Sequence, residues 1–178
     1  SVPLSALGVE GNIVLRGPWD IYEVRFTPPP SWALQPGASL MLNLGANITS
    51  PEGPITGLRG AMVQVSLNGD LISTVMLDQL GDRAVQIAIP AQALVTNRTD
   101  GRHVLRFFLD ASVDCDLTNI TTVVIGSDSV LDLPHEFAAP TTDLVNLPRP
   151  IYQRDSFLPE SVSLVVPDDP TPDELQAA

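Results

Sequence analysis

Short runs of alternating apolar and polar residues, separated by Pro- and Gly-rich turns, fill most of the chain up to residue 133. Such alternation sends one set of side chains into a core and the other into solvent, as in half-buried β-strands. The runs predict about nine strands, at residues 12–16, 21–27, 38–45, 62–67, 71–77, 83–89, 102–111, 120–125 and 129–133. This pattern indicates an all-β fold, a jelly-roll-like β-sandwich.

The strongest local signal is a β-hairpin. Val63, Val65 and Leu67 alternate with more polar residues and are followed directly by Asn68-Gly69. That dipeptide suits a two-residue turn in which both central residues have positive φ. The sequence therefore predicts that residues 71–77 return as the partner strand.

The longest predicted strand, residues 102–111, carries a histidine among its apolar positions. One face of this strand holds His103, Leu105, Phe107 and Leu109. A histidine in such a row is expected to be a hydrogen-bonded core residue. The second histidine, His135, follows Leu133-Pro134, and the sequence there predicts an ordinary loop.

The character of the chain changes after Pro134. The stretch up to residue 160 is rich in Pro and loop-like, whereas residues 161–166 again resemble a strand. A Pro-rich break and an acidic helix start follow that run, which is typical of the opening of an α/β unit. We therefore expect a β-sandwich domain at residues 1–136, a Pro-rich linker packing on it at 137–160, and the start of a second domain at 161–178.

Charge and hydropathy narrow the classes of partner. The chain has 21 acidic residues and nine basic ones, all of them arginine, for a net charge of −12. Such a charge repels phosphate backbones and anionic lipid, so nucleic acid and bare membrane are poor partners. No apolar run approaches the length of a membrane span. We expect any membrane attachment to depend on segments outside this chain.

Aromatic residues next to proline-rich turns are the candidate sugar-binding groups. Trp19 follows Gly17-Pro18, and Trp32 follows a run of three prolines. Tyr22 lies on the strand after Trp19, and Tyr152 lies in the exit segment. Aromatic faces bind the C–H surfaces of pyranose rings, so these residues form a candidate platform. The alternative is that all four pack beneath loops.

Catalytic and metal chemistry finds little support. The segment Asp114-Cys115-Asp116 resembles a nucleophile or metal site, but Cys115 is the single cysteine. The two histidines have no spacing suited to zinc, and a spaced calcium loop is absent from the sequence. We therefore expect no enzyme activity, no cofactor and no metal.

The order of several motifs resembles the family of the extracytoplasmic regulatory subunit of bacterial cellulose synthase. The anchors are Leu-Arg-Gly at residues 15–17, the hairpin at 65–69, and the strand at 104–109 that leads to the Asp-Cys-Asp segment. The exit segment, with residues 143–144, 147–152 and Asp155, is similar to the family's link out of its first jelly-roll domain. Residues 164–167 then resemble the start of its flavodoxin-like domain.

This resemblance implies a carbohydrate-binding-type domain at residues 1–136 and a flavodoxin-like domain beginning at 161. It also implies a membrane-attached protein outside the cytoplasm that contacts an extruded glucan chain beside the catalytic subunit of a synthase. The alternative is a purely structural module that holds domains and subunits together. Thr122, Val123 and Val124 stand where the family commonly carries a Trp, which favours a divergent branch or another polymer.

The family is also associated with cyclic di-GMP. Arg98 and Arg102 are four residues apart, a spacing that can grip phosphates, but Cys115 stands where the companion motif needs a glycine. A solvated turn with two surface arginines is the preferred interpretation of this pair.

Overall fold

The computed structural model describes residues 1–51, 53, 60–112, 119–140 and 152–158. Within them the chain forms twelve strands and two 3₁₀ turns. The strands are β1 (Val2–Pro3), β2 (Ile13–Arg16), β3 (Trp19–Phe26), β4 (Trp32–Leu34), β5 (Ser39–Thr49), β6 (Met62–Leu67), β7 (Asp70–Met76), β8 (Gly81–Ala88), β9 (His103–Asp110), β10 (Ile120–Ile125), β11 (Val130–Asp132) and β12 (His135–Phe137). The 3₁₀ turns are η1 (Leu4–Leu7) and η2 (Ala91–Leu94). All the predicted strands among these residues are present, and the sequence pattern missed only the short strands β1, β4 and β12.

The long strands pair as a nested set. β6 pairs with β7 at the centre, β5 with β8 around them, β3 with β9 next, and β2 with β10 outermost, all antiparallel. Further pairing of β6 with β9 and of β5 with β10 joins these hairpins into two sheets. Their strand orders are β3-β9-β6-β7 and β2-β10-β5-β8, and β11 and β1 extend the second sheet. This arrangement of a rolled-up hairpin is a jelly roll, so the predicted fold class is confirmed.

The core fills the space between the two sheets. Alternate side chains of β6 are buried in it, as the hairpin pattern predicts, and those between them face outward. The sheet that contains β5 contributes Leu40 and Leu42 to the same apolar cluster as Val63 and Phe107 of the other sheet. Burying one such side chain stabilises the fold by about 1.5–3 kcal/mol relative to leaving it exposed.

The β6–β7 hairpin has the predicted turn. Asn68 and Gly69 have φ values of 55° and 97°, so both central residues are in the left-handed region. Asn68 also ties the turn to its surroundings, because its Nδ2 donates a 2.9 Å hydrogen bond to the Ala93 carbonyl of η2. Its Oδ1 accepts a hydrogen bond of 3.1 Å from the Val104 amide of β9.

His103 is a core residue, as its position in β9 predicts. It is buried, and its Nδ1 lies 3.0 Å from Asn68 Nδ2, so Nδ1 accepts the hydrogen bond. Its ring stacks on Phe26 of β3, with ring centroids 5.3 Å apart and planes 14° from parallel.

The prediction of a loop at His135 is wrong. His135 begins β12, which pairs antiparallel with β4 through His135–Leu34 and Phe137–Trp32. Pro134 suggested a loop because proline lacks the N–H that a β-ladder needs. It lies just before the strand, however, where this missing N–H removes no hydrogen bond of the ladder.

The exit segment at residues 152–158 lies against the sandwich. Thr27 donates hydrogen bonds from its amide to the Asp155 carbonyl and from its Oγ1 to the Arg154 carbonyl, at 2.8 and 2.7 Å. Phe157 packs against the core cluster. The boundary expected after residue 136 falls inside β12. The division of the chain into a linker and a second domain stays a prediction, because residues 141–151 and 159–178 lie outside the described residues.

In the described part of the chain, no helix has the length and apolar character needed to cross a lipid bilayer.

Candidate functional site

The four aromatic residues predicted to bind sugar lie in different places. Trp19 begins β3 and is 64% exposed, whereas Tyr22, three residues further along, is 38% exposed. Alternation along the strand puts Trp19 on the outer face of the sheet and Tyr22 on the side of Val24 and Phe26. Trp32 is half-buried in β4, and Tyr152 is exposed in the exit segment. These residues therefore do not form one common platform.

Trp19 belongs to the outer face of the four-stranded sheet, the face turned away from the core. The strand registers arrange this face in three rows across β3, β9, β6 and β7. The rows are Trp19, Asp110, Met62 and Met76; Ile21, Phe108, Gln64 and Thr74; and Glu23, Arg106, Ser66 and Leu71. We call this surface the outer face.

The neighbourhood of Trp19 combines apolar and polar groups. Asp110 lies directly opposite Trp19 in the ladder, and Phe108 lies opposite Ile21, so Phe108 is the diagonal neighbour of Trp19. Diagonal neighbours are separated by about 7–8 Å, which is within reach of large aromatic side chains. Trp19 and Ile21 are exposed and Phe108 is partly exposed. An aromatic surface with a carboxylate beside it is what pyranose rings require, since their C–H faces stack and their hydroxyls donate hydrogen bonds.

Asp110 is held in its ionised form. Ser112 donates two hydrogen bonds to Asp110 Oδ1, from its hydroxyl at 2.6 Å and from its amide at 3.1 Å. These bonds, with a smaller contribution from the Trp19 side chain, lower the pKa of Asp110. The carboxylate next to Trp19 is therefore an acceptor at neutral and mildly acidic pH.

Trp32 packs against other aromatic side chains and the core. His135 of β12 stacks on its ring, with centroids 3.4 Å apart and planes 8° from parallel. Phe157 meets the ring nearly edge-on, at 5.7 Å. Because these partners occupy its surroundings and it packs against the core, Trp32 joins the exit segment to the sandwich.

A groove of about 550 Å³ runs along the free edge of β3, the outermost strand of its sheet. Its walls are formed by residues 6–9, 22–25 and 154–157, and by Arg102. Two ion pairs lie in it: Arg25 Nη2 is 3.0 Å from Glu23 Oε2, and Arg102 Nη1 is 3.2 Å from Asp155 Oδ2. We call this feature the β3 groove. Of the four predicted aromatic residues, Tyr22 is the one that lines it.

Sequence reasoning missed Phe108, and of the groove arginines it singled out Arg102 alone, for a different role. The alternation that places Phe107 in the core also places Phe108 outside, so the signal for Phe108 was present in the strand pattern. The groove gave no such signal, because it depends on Asp155 meeting Arg102, 53 residues away in sequence.

Arg98 and Arg102, the pair considered for phosphate binding, hold a carboxylate. Arg98 donates two hydrogen bonds to Asp100, of 3.0 and 2.8 Å, and Arg102 Nη2 lies 3.1 Å from the same side chain. These contacts, the hydrogen bonds from Arg98 above all, hold the pKa of Asp100 well below its usual range. Both arginines therefore already bind a carboxylate in this turn.

The lowered pKa of Asp100 predicts a specific acid dependence. A carboxylate whose pKa is lower in the folded state stabilises the fold above its unfolded-state pKa and loses that effect as pH falls through the folded one. Urea unfolding should show Asp100→Asn less stable than wild type at pH 7, by no more than about 1 kcal/mol because exposed ion pairs are screened. The difference should stay constant down to about pH 5 and shrink below pH 4. The exposed Asp70→Asn serves as the control and should follow wild type throughout; a constant difference for Asp100→Asn down to pH 2 would contradict this account.

The Asp114-Cys115-Asp116 segment lies outside the described residues. Within those residues, no three His, Cys, Asp or Glu side chains are grouped as metal ligands. The expectation of no enzyme activity stays a prediction.

No family model matches the chain, and a search of curated proteins finds no match either. The likeness to the regulatory subunit of cellulose synthase therefore stays a prediction from motif order. What the structure establishes is a jelly-roll β-sandwich whose outer face carries Trp19 and Phe108, with a charged groove at the edge of β3.

Proposed function

We propose that this chain is a non-catalytic module that contacts or guides a polysaccharide chain outside the cytoplasmic membrane, in a protein like the regulatory subunit of bacterial cellulose synthase. One observation carries the proposal: Trp19 is 64% exposed on the outer face, beside the ionised Asp110. Trp19 lies next to exposed Ile21 and partly exposed Phe108, and an exposed apolar patch of this kind marks an interaction site. Its surroundings suit a sugar, because the Trp19 ring can stack on a sugar ring and the neighbouring Asp110 carboxylate can accept hydrogen bonds from sugar hydroxyls.

The shape of the outer face suits a guiding role. Four strands form an open surface whose rows offer apolar groups and polar groups in turn, among them the Gln64 amide and the Arg106 guanidinium. A polymer that is being extruded has to bind and leave repeatedly, so shallow contacts on a rigid surface serve it better than an enclosing cleft. Its expected partners are the glucan chain and the catalytic subunit of a polysaccharide synthase.

The alternative is a structural module that holds domains and subunits together. Trp19, Ile21, Leu71 and Met76 are all exposed on the outer face. The first two lie on β3 and the last two on β7, at opposite edges of the sheet, and exposed apolar residues spread over one face can also contact a protein partner. Phe137, on the two-stranded sheet, is 82% exposed and adds a second apolar position. In this alternative the outer face binds protein rather than sugar.

Affinity electrophoresis separates the two functions. Native protein should be retarded in gels that contain hydroxyethyl cellulose or another soluble glucan. Trp19→Ala should weaken this binding roughly tenfold or more, as expected for a central aromatic contact. Phe137→Ala removes another exposed aromatic outside the outer face and should leave the retardation unchanged.

Two outcomes would contradict the glucan proposal. Equal retardation of native protein and Trp19→Ala would remove the outer face as the binding surface. Absence of retardation by every glucan, for a protein with a cooperative unfolding transition, would favour the structural module.

A further inference from the structure

The β3 groove gathers positive charge in a strongly acidic protein. Three of the nine arginines, Arg25, Arg102 and Arg154, line it, although the chain carries a net charge of −12. Arginine is the preferred residue for planar anions, because its guanidinium presents donors in a fixed fork. Arg25 and Arg102 form ion pairs, so Arg154 is the groove arginine whose role these pairs do not explain.

Not every arginine N–H group of this groove has an acceptor among the described residues. Among the described residues no carboxylate lies within ion-pair distance of Arg154. The Nε of Arg102 is buried and has no hydrogen-bond acceptor in the described part of the chain. Buried donors without acceptors are uncommon in folded proteins. The exposed guanidinium of Arg154 is therefore the group in this groove that is open to a ligand.

The charge balance fits a singly charged ligand. Arg25, Arg102 and Arg154 stand against Glu23 and Asp155, and Asp100 is matched by Arg98 outside the groove. One positive charge therefore remains. A monovalent carboxylate would neutralise it, whereas a phosphate with two charges would add net negative charge to an already acidic protein.

Tyr22 supplies the second part of the recognition. Its side chain is exposed and lines the same groove as the arginines. A phenol ring gives a face for stacking and a hydroxyl for hydrogen bonding. Together the aromatic ring and the free guanidinium match a sugar that carries a carboxylate.

We propose that the β3 groove binds the carboxylate of an acidic sugar unit, a uronic acid, with Arg154 as its anion partner and Tyr22 against its ring. The choice of a sugar rests on the proposed polysaccharide function, and it names an acidic polymer as the substrate class. The anion site itself rests only on the groove arginines and on Arg154, which has no carboxylate partner among the described residues.

NMR titration of the labelled protein tests this site directly. The probes are methyl β-D-glucuronoside, methyl β-D-glucoside and a tetraglutamate peptide. We expect the glucuronoside to shift the amide signals of residues 22–25 and 154–157, and the glucoside to leave them unchanged. The affinity for the glucuronoside should fall when salt is raised from about 0.05 to about 0.5 M, because screening weakens ion pairs.

Two substitutions with the same charge change make the test specific. Arg154→Gln should weaken glucuronoside binding roughly tenfold or more, as loss of a charge-assisted contact does. Arg16→Gln, at an exposed position on β2 outside the groove, should leave it unchanged. Equal effects of the two variants, or equal shifts with glucoside and glucuronoside, would overturn the proposal.

The titration of the β3 groove does not depend on whether the outer face binds glucan. Tighter binding of the tetraglutamate peptide than of the glucuronoside would overturn the sugar assignment and identify an acidic peptide as the ligand. Glucan retardation that depends on Trp19 would still support the outer face if the glucuronoside did not bind the groove. Glucuronoside binding that depends on Arg154 would still support the groove if no glucan retarded the protein. The two proposals therefore fail separately.

Discussion

Replacement of Phe26 with alanine is expected to lower the free energy of unfolding by about 3–5 kcal/mol, the range for large aromatic residues in a core. Phe26 is 1% exposed at the end of β3. It stacks on His103 and contacts Phe157, with ring centroids 6.3 Å apart. The substitution leaves a cavity where β3, β9 and the exit segment meet. Because whole domains are stable by only about 5–15 kcal/mol, this single change threatens the fold.

Urea denaturation of purified variants measures this effect. Phe137→Ala is the matched control, since it removes the same atoms from a side chain that is 82% exposed. Its unfolding free energy should stay within about 0.5 kcal/mol of wild type. Phe26→Leu leaves a smaller cavity, and its intermediate loss gives a measurable value if the alanine variant does not fold. A loss below about 1 kcal/mol for Phe26→Ala would contradict the close packing of Phe26 against His103 and Phe157.

Asn68→Ala is expected to destabilise the domain by about 4 kcal/mol. The side chain donates to the Ala93 carbonyl, approaches His103 Nδ1 and accepts from the Val104 amide. Each hydrogen bond contributes about 1 kcal/mol net, and the unpaired partners that remain add to the loss. Alanine also has to adopt the φ of 55°, which costs about 1 kcal/mol more.

Asn68→Gly separates the side chain from the backbone. Glycine tolerates positive φ but makes none of the three contacts, so its loss of stability should be smaller than that of alanine by about 1 kcal/mol. Thermal and urea unfolding of the two variants provide the comparison. If glycine restored full stability, the contacts to Ala93, His103 and Val104 would contribute nothing, contrary to this account.

Much of the fold was predictable because its signals are local. Alternation identified the burial of Val63, Val65 and Leu67, and the Asn68-Gly69 pair identified the turn that follows. His103 was predicted as a core residue because it shares one face of its strand with apolar residues, and its stacking on Phe26 confirms that prediction. These features depend on neighbours within one strand or one hairpin, where periodicity is informative.

The remaining features depend on contacts distant in sequence. Strand β2 pairs with β10, more than 100 residues later, and no pattern within either strand specifies that partner. The pairing of β4 with β12 turned a predicted loop at His135 into a strand. Trp32 looked like Trp19 in sequence, since both lie within two residues of a proline. Its burial is decided by His135 and Phe157, which only the tertiary fold brings to it.

The candidate site shows the same division. Trp19 was predicted as a candidate sugar-binding residue from its place beside Gly17-Pro18, and its side chain is exposed in the structure. Its neighbours Asp110 and Phe108 became evident only from the register of β3 with β9. The β3 groove needs the exit segment to return to Thr27, and neither partner in that contact signals the other.

The most direct test of the glucan-contacting function uses the two tryptophans as reporters. The chain has Trp19 and Trp32 only, so the NMR spectrum of the labelled protein contains two indole N–H signals, and Trp19→Ala assigns them. During titration with cellohexaose or laminarihexaose, we expect the Trp19 signal to move saturably and the Trp32 signal to stay in place, because Trp32 is stacked on His135. If the Trp19 signal stayed fixed with both oligosaccharides, the outer face would not be a glucan-binding surface, and the structural module would become the better account.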